Sequence, residues 1–170
     1  GYLNYTYGHP FLMFLYPLSN YLGSFFHFLV FNIIDSIKIL FGLSYLLSGL
    51  FMFLWISKLW NRETGFIAAI FYLFAPYRFV NLYVRAALGE HLAFMIIPLA
   101  CWFITELITS LKTRYLFLSA LSLALLILAH NTVSLLFLPL ILFYFLFLIF
   151  YFKKKYLMPI FILVIFLGFG

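Results

Sequence analysis

Six polar side chains stand out in a chain that is otherwise almost wholly apolar: Arg78, Asn81, Arg85, Glu90, His91 and His130. Five of them fall within residues 75–91, between two long apolar runs, where charge is costly and usually lines a cavity or a site. If residues 78–88 are helical, Arg78 and Arg85 share one face, with Asn81 between them. Two guanidiniums on one face offer paired planar donors, which suit a phosphate or pyrophosphate. Arginine near a lipid interface also snorkels to headgroups, so anchoring is the competing reading. Glu90 follows Gly89, where the helix can turn, and a carboxylate shielded from water suits a general base. Paired with Arg85 or Arg78, it would instead only hold the loop. With His91 and His130 it makes one carboxylate and two imidazoles, a set that suits a divalent cation, although the spacing matches no metal motif. The catalytic candidates are Glu90 and His130; the substrate-binding candidates are Arg78, Asn81, Arg85 and His91. Tyr77 and Tyr83 read as belt aromatics rather than ligands, as does His27, and His9 is a further external histidine. Glu106 is expected to answer Lys112 or Arg114. There is no Gly-rich phosphate loop, nucleophile elbow or zinc signature.

The elements that must position these groups are membrane helices. The chain is 68% hydrophobic and 8% charged, against roughly a quarter charged in a soluble domain. A net charge of +6 without a basic stripe gives no reason to expect nucleic acid as a partner. The single Cys101 excludes an intrachain disulfide. Absence of an initiator Met and a last residue inside an apolar run point to a fragment of a longer polytopic protein. The fold class is all-α: a polytopic bundle of about six membrane-spanning segments, with short interfacial or re-entrant helices on the extracytoplasmic face. Residues 1–35, broken by Pro10 and Pro17 and rich in Tyr, form the interfacial segment. Residues 36–170 form the bundle within one membrane-embedded domain. Asp35 or Ser36 is placed to cap a first run ending at Ser57. Further runs cover residues 64–75, 91–109, 115–130 and 132–152, and a last begins at Tyr156. Read as one helix, residues 115–152 would reach about 57 Å, too long for one crossing, so the chain breaks at His130-Asn131-Thr132, with Asn131 or Thr132 capping the next helix.

If every run crosses once, Lys58, Arg62, Lys112, Arg114 and the lysines at 153–155 fall on one side, seven of the ten basic residues. By the positive-inside rule that side is cytoplasmic. The N-terminal aromatic segment, residues 75–91 and the His130–Asn131 turn then converge on the opposite face.

Three blocks in order, G-H-P-F…Y-P-L-S-N-Y, then Y-L-F-A-P-Y-R-F-V-N-L-Y-V-R-A-A-L-G-E-H-L-A, then A-H-N-T, resemble the bacterial membrane proteins called 6-pyruvoyl-tetrahydropterin-synthase-related. Those in turn look like GT-C-type glycosyltransferases that use polyprenyl-phosphate sugars. The resemblance covers nearly the whole sequence; its P-Y-R…Y-V-R…L-G-E block is fairly specific, and nothing resembles a soluble pterin enzyme. It implies transfer of a sugar from a polyprenyl-phosphate-linked donor to an extracytoplasmic glycan or protein acceptor at the bacterial plasma membrane. Arg78 and Arg85 would then face the donor phosphate, with Glu90 and His130 lining the cavity. GT-C enzymes usually carry an acidic catalytic residue in the first external loop, which this resemblance places before Gly1 and which competes with Glu90 for the role of base. A non-enzymatic transporter or assembly subunit for lipid-linked glycans, using the same arginines, is the alternative.

Overall fold

The computed structural model describes residues 16–29 and 32–169, and all regular structure among them is helical. A short α1 (Pro17–Phe28) starts with proline at its first position, where the missing N–H costs nothing. Then come α2 (Ile33–Leu59), α3 (Arg62–Leu73), the single turn α4 (Pro76–Phe79) and a π-helical turn (Val80–Arg85). The long α5 (Leu88–Ser110), α6 (Thr113–Ala129), α7 (Asn131–Tyr151) and α8 (Met158–Phe169) complete the chain. The remainder of the expected N-terminal segment, including His9 and Pro10, lies outside the described residues.

Among the described residues, three helices are long and apolar enough to cross a membrane: α2, α5 and α7. A fourth crossing arises if α3 and residues 76–85, which meet at a 47° bend, count as one. About six crossings were expected; length and composition supply three or four. The physical reason is that α3 and α8 have 12 residues each and α6 has 17, or about 18 and 26 Å against a hydrocarbon core of roughly 30 Å. Even so, α6 runs between the same two ends of the bundle as α5.

Those ends are fixed by side chains. At one, Lys58 Nζ meets Glu106 Oε1 at 3.0 Å and Lys154 Nζ donates to the Ile108 carbonyl at 2.6 Å. Glu106 therefore answers Lys58 from another helix, not the nearby Lys112 or Arg114. At the other end, Tyr16 stacks on His130 with ring centroids 3.9 Å apart. The expected convergence of the N-terminal segment with the His130 turn is thus present from Tyr16 onward.

The centre of the bundle is α5, which packs against α2, α6 and α7. Leu92, Ile96, Ala100, Ile104 and Ile108 recur every fourth residue along it and are all essentially buried. They meet Leu123 and Leu126 of α6 and Phe145 and Ile149 of α7 in one continuous core. Pro98 interrupts α5, leaving the Phe94 carbonyl without its helical N–H. The Tyr72 hydroxyl of α3 fills that gap, donating to Phe94 O at 2.6 Å.

Local stops behave differently from their sequence expectation in two places. Helix α2 begins at Ile33, after Asn32, so Asp35 and Ser36 lie inside its first turn and cap nothing; Ser36 Oγ donates back to Asn32 O at 2.9 Å. The expected break after α6 is present, but the cap is His130 itself, whose Nδ1 accepts from Val133 N at 3.2 Å. Ser134 Oγ donates to both Leu126 O (2.6 Å) and His130 O (2.8 Å). In a straight helix those two carbonyls would lie about 6 Å apart along the axis, with Leu126 about 12 Å from Ser134. The shared hydroxyl shows that the chain folds back sharply there.

Candidate functional site

Residues 75–91 enter their positions through three local devices. Pro76 opens α4 at its first position. The next turn is π-helical, with the wider i→i+5 pattern that is rare and often found at functional sites. Ala86 then adopts a left-handed conformation at φ 48°, uncommon for a residue with a Cβ, and turns the chain into α5. The wider turn ends the α-helical repeat, so Arg78 and Arg85 do not share a face. They go to two separate polar clusters.

The first cluster is centred on Glu90, in the first turn of α5 and 7% exposed. Arg85 Nη2 meets its Oε1 at 2.7 Å and Arg85 Nη1 donates to its Oε2 at 2.9 Å. The Tyr77 hydroxyl donates to Oε2 at 3.0 Å and accepts from Arg85 Nη1 at 2.6 Å. His130 Nε2 stands 3.8 Å from Oε1. The Arg85 side chain is 46% exposed, while Glu90 and His130 are largely covered. Burial holds the His130 imidazole below its ordinary range, against the opposing pull of the Glu90 carboxylate. Tyr77 is thus a partner of the candidate base rather than a belt aromatic; its place thirteen residues before Glu90 gave no sign of it. Tyr83 is exposed, as a belt residue would be.

The second cluster lies deeper. Arg78 is 3% exposed and sits in an aromatic cage, its guanidinium carbon 5.3 Å from the Tyr45 ring centroid, 5.1 Å from that of Tyr72 and 5.4 Å from that of Phe94. It donates to Ser48 Oγ at 2.6 Å. Burial this deep rules out snorkelling for Arg78. His91 does not join Glu90: its ring stacks against Tyr45 at 6.0 Å and meets Phe41 edge-on at 5.4 Å. Asn81 is fully buried. No three His, Cys, Asp or Glu side chains assemble a cation site among the described residues, because His91 is turned away from Glu90 and His130. The cage residues Tyr45, Ser48 and Tyr72 carried no sequence signal beyond being polar tips in apolar runs.

A cleft of about 520 Å³ opens near the Glu90 end, between α1, the start of α2 and Leu88. Ser19, Asn20, Ser24 and Ser36 give it hydroxyl and amide walls.

These features define an all-helical integral membrane protein with a carboxylate–guanidinium–imidazole cluster at one end of its bundle and a caged arginine below it. The chain belongs to the 6-pyruvoyl-tetrahydropterin synthase related family of membrane proteins, whose domain model matches residues 12–170. No curated protein and no solved structure matches it.

Proposed function

We propose that this protein transfers a sugar from a polyprenyl-phosphate-linked donor to an extracytoplasmic glycan or protein acceptor, with the Glu90 cluster as its site. The observation that supports this reading is the half-exposed Arg85 bound to a buried carboxylate beside His130. A donor phosphate competes for the same guanidinium, since both anions match its planar donors. When Arg85 turns to phosphate, Glu90 loses its strongest partner and is freed to take the proton of an acceptor hydroxyl. The acceptor oxygen bonds to the anomeric carbon as the carbon–oxygen bond to phosphate breaks, and the electron pair leaves on the polyprenyl phosphate. His130 orients Glu90, and the cleft beside Leu88 offers hydroxyl and amide partners for a sugar. In this reading α6 and α8 complete the crossings. The lysine-rich end faces the cytoplasm of a bacterial plasma membrane and the Glu90 end faces outward.

One observation favours a non-enzymatic carrier of lipid-linked glycans instead: both Glu90 oxygens already accept hydrogen bonds, from Arg85 and Tyr77. The two readings separate in liposomes carrying the purified protein and a radiolabelled polyprenyl-phosphate hexose. Under the transferase reading, Glu90→Gln lowers transfer to an acceptor on the order of 10²-fold, the lower range for a lost general base, while donor binding persists. Wild-type protein that moves the donor across the bilayer without breaking its sugar–phosphate bond would establish the carrier.

A further inference from the structure

Arg78 is a buried cation that none of the carboxylates among residues 1–170 neutralises. The sequence contains four acidic residues, and each is accounted for elsewhere. Asp35 lies beside Lys38, Glu90 holds Arg85, Glu106 holds Lys58, and Glu63 is exposed in the first turn of α3. The residues outside the described set add none. A desolvated charge is retained in a protein when something pairs with it, and intramembrane arginines mark ligand paths more often than packing.

The surroundings of Arg78 point the same way. Its Nε and Nη1, both amide atoms of Asn81 and both ring nitrogens of His91 are buried without a hydrogen-bond partner among the described residues. Arg78 and His91 both lie against the Tyr45 ring, and Asn81 follows Arg78 by three positions, the spacing of neighbours on a helical turn. Guanidinium, amide and imidazole N–H groups together present several donors and one positive charge. Such a set matches an anion with several oxygens better than a single-atom anion, and Asn81 Oδ1 can accept from a protonated phosphate oxygen.

The cage also forms part of a route. Tyr72 and Phe94, two of its three rings, are walls of an apolar groove of about 300 Å³ that continues past Trp55, Ile97 and Tyr144. A groove of that character next to a caged cation fits an amphiphile with a phosphate head.

We propose that Arg78, Asn81 and His91 form a buried oxyanion site that takes a phosphate group, from a lipid headgroup whose tail lies in this groove or from free phosphate. The site uses none of the Glu90 cluster and stands whether or not sugar transfer occurs there. The test is the thermal midpoint of the full chain in dodecylmaltoside, titrated with inorganic phosphate and, separately, with dihexanoyl phosphatidic acid. At least one probe raises the midpoint saturably, and Arg78→Lys and Asn81→Ala weaken its apparent affinity tenfold or more. Saturation by phosphatidic acid alone assigns the lipid source; saturation by inorganic phosphate assigns the free ion. Should Arg78→Lys not accumulate, Asn81→Ala carries the test, because it removes an amide with no hydrogen-bond partner among the described residues. Absence of saturable binding by either probe overturns the proposal. So does unchanged affinity in Asn81→Ala, whatever happens in Arg85→Gln.

Discussion

Gly89 lies against Ala129 so closely that a Cβ on it would sit 2.8 Å from the Ala129 carbonyl oxygen and 3.0 Å from the Tyr16 ring. This contact sets the separation between Glu90 on α5 and His130 at the end of α6. A backbone carbonyl cannot rotate away as a side chain would. Gly89→Ala therefore pushes the helices apart, at the roughly 1–3 kcal/mol typical of overpacking, and weakens the Glu90–His130 approach. Gly42 is also inside a helix but has open space beside it. Gly42→Ala is expected to stabilise by up to about 1 kcal/mol through helix propensity. Thermal unfolding of the two variants in detergent checks the contrast, which vanishes if Gly89 has room.

His130 carries a pH dependence of definite sign. Its folded-state value is lowered, chiefly by burial, with Glu90 opposing and Arg85 adding to the depression. The unfolded chain therefore takes up the proton first. Stability from this group is intact above the ordinary value of about 6.5 and is lost as the pH falls through the folded value. His130→Asn keeps a good N-cap acceptor and removes the titration. Unfolding midpoints measured from pH 8 to pH 5 should fall less steeply on the acid side in His130→Asn than in wild type.

Lys154 ties the segment after α7 to α5 through the Ile108 carbonyl, which lies in the last turn of α5. Lysine is favoured at a helix C-terminus because its charge meets the exposed carbonyl dipoles. Lys154→Met should cost about 1 kcal/mol, the usual worth of one hydrogen bond. Lys153→Met, at an exposed neighbour, should cost much less. Equal unfolding midpoints for the two variants would contradict this.

Orientation is tested with single cysteines. Cys101 is buried and is the chain's one native cysteine, so background labelling by an impermeant maleimide is low. In intact cells, cysteine at 83 should label from outside and cysteine at 62, 112 or 153 should label only after lysis. Labelling of the basic end in intact cells would reverse the proposed topology.

The sequence carried the helical class, the break at His130, the segregation of basic residues to one end and the meeting of separate segments at the other. These are consequences of composition and of a length limit, and both are visible in a string of letters. What was not legible depended on register or on distant partners. A π-helical turn has no hydrophobic signature of its own, so the Arg78–Arg85 repeat promised a shared face that the backbone does not provide. Glu106 found Lys58 across the bundle rather than a basic residue nearby, and Tyr77 became a partner of Glu90 through the left-handed turn at Ala86. The number of crossings was legible only in part, for a related reason. An apolar run shows hydropathy directly, but where its helix starts and stops depends on caps such as Asn61, whose Oδ1 accepts from Thr64 N at 2.8 Å.

Pro98 would make α5 a hinge, since a helix that lacks one rung of its ladder bends there first. The Tyr72 hydroxyl acts as a splint across that joint, binding the orphaned Phe94 carbonyl from the neighbouring helix. Stiffness at mid-membrane is therefore supplied by one removable oxygen rather than by the α5 backbone. Tyr72→Phe would keep the ring beside Arg78 and the shape of the groove while leaving the joint free to flex. The mechanical state of the central helix and the aromatic cage around Arg78 are thereby attached to the same side chain.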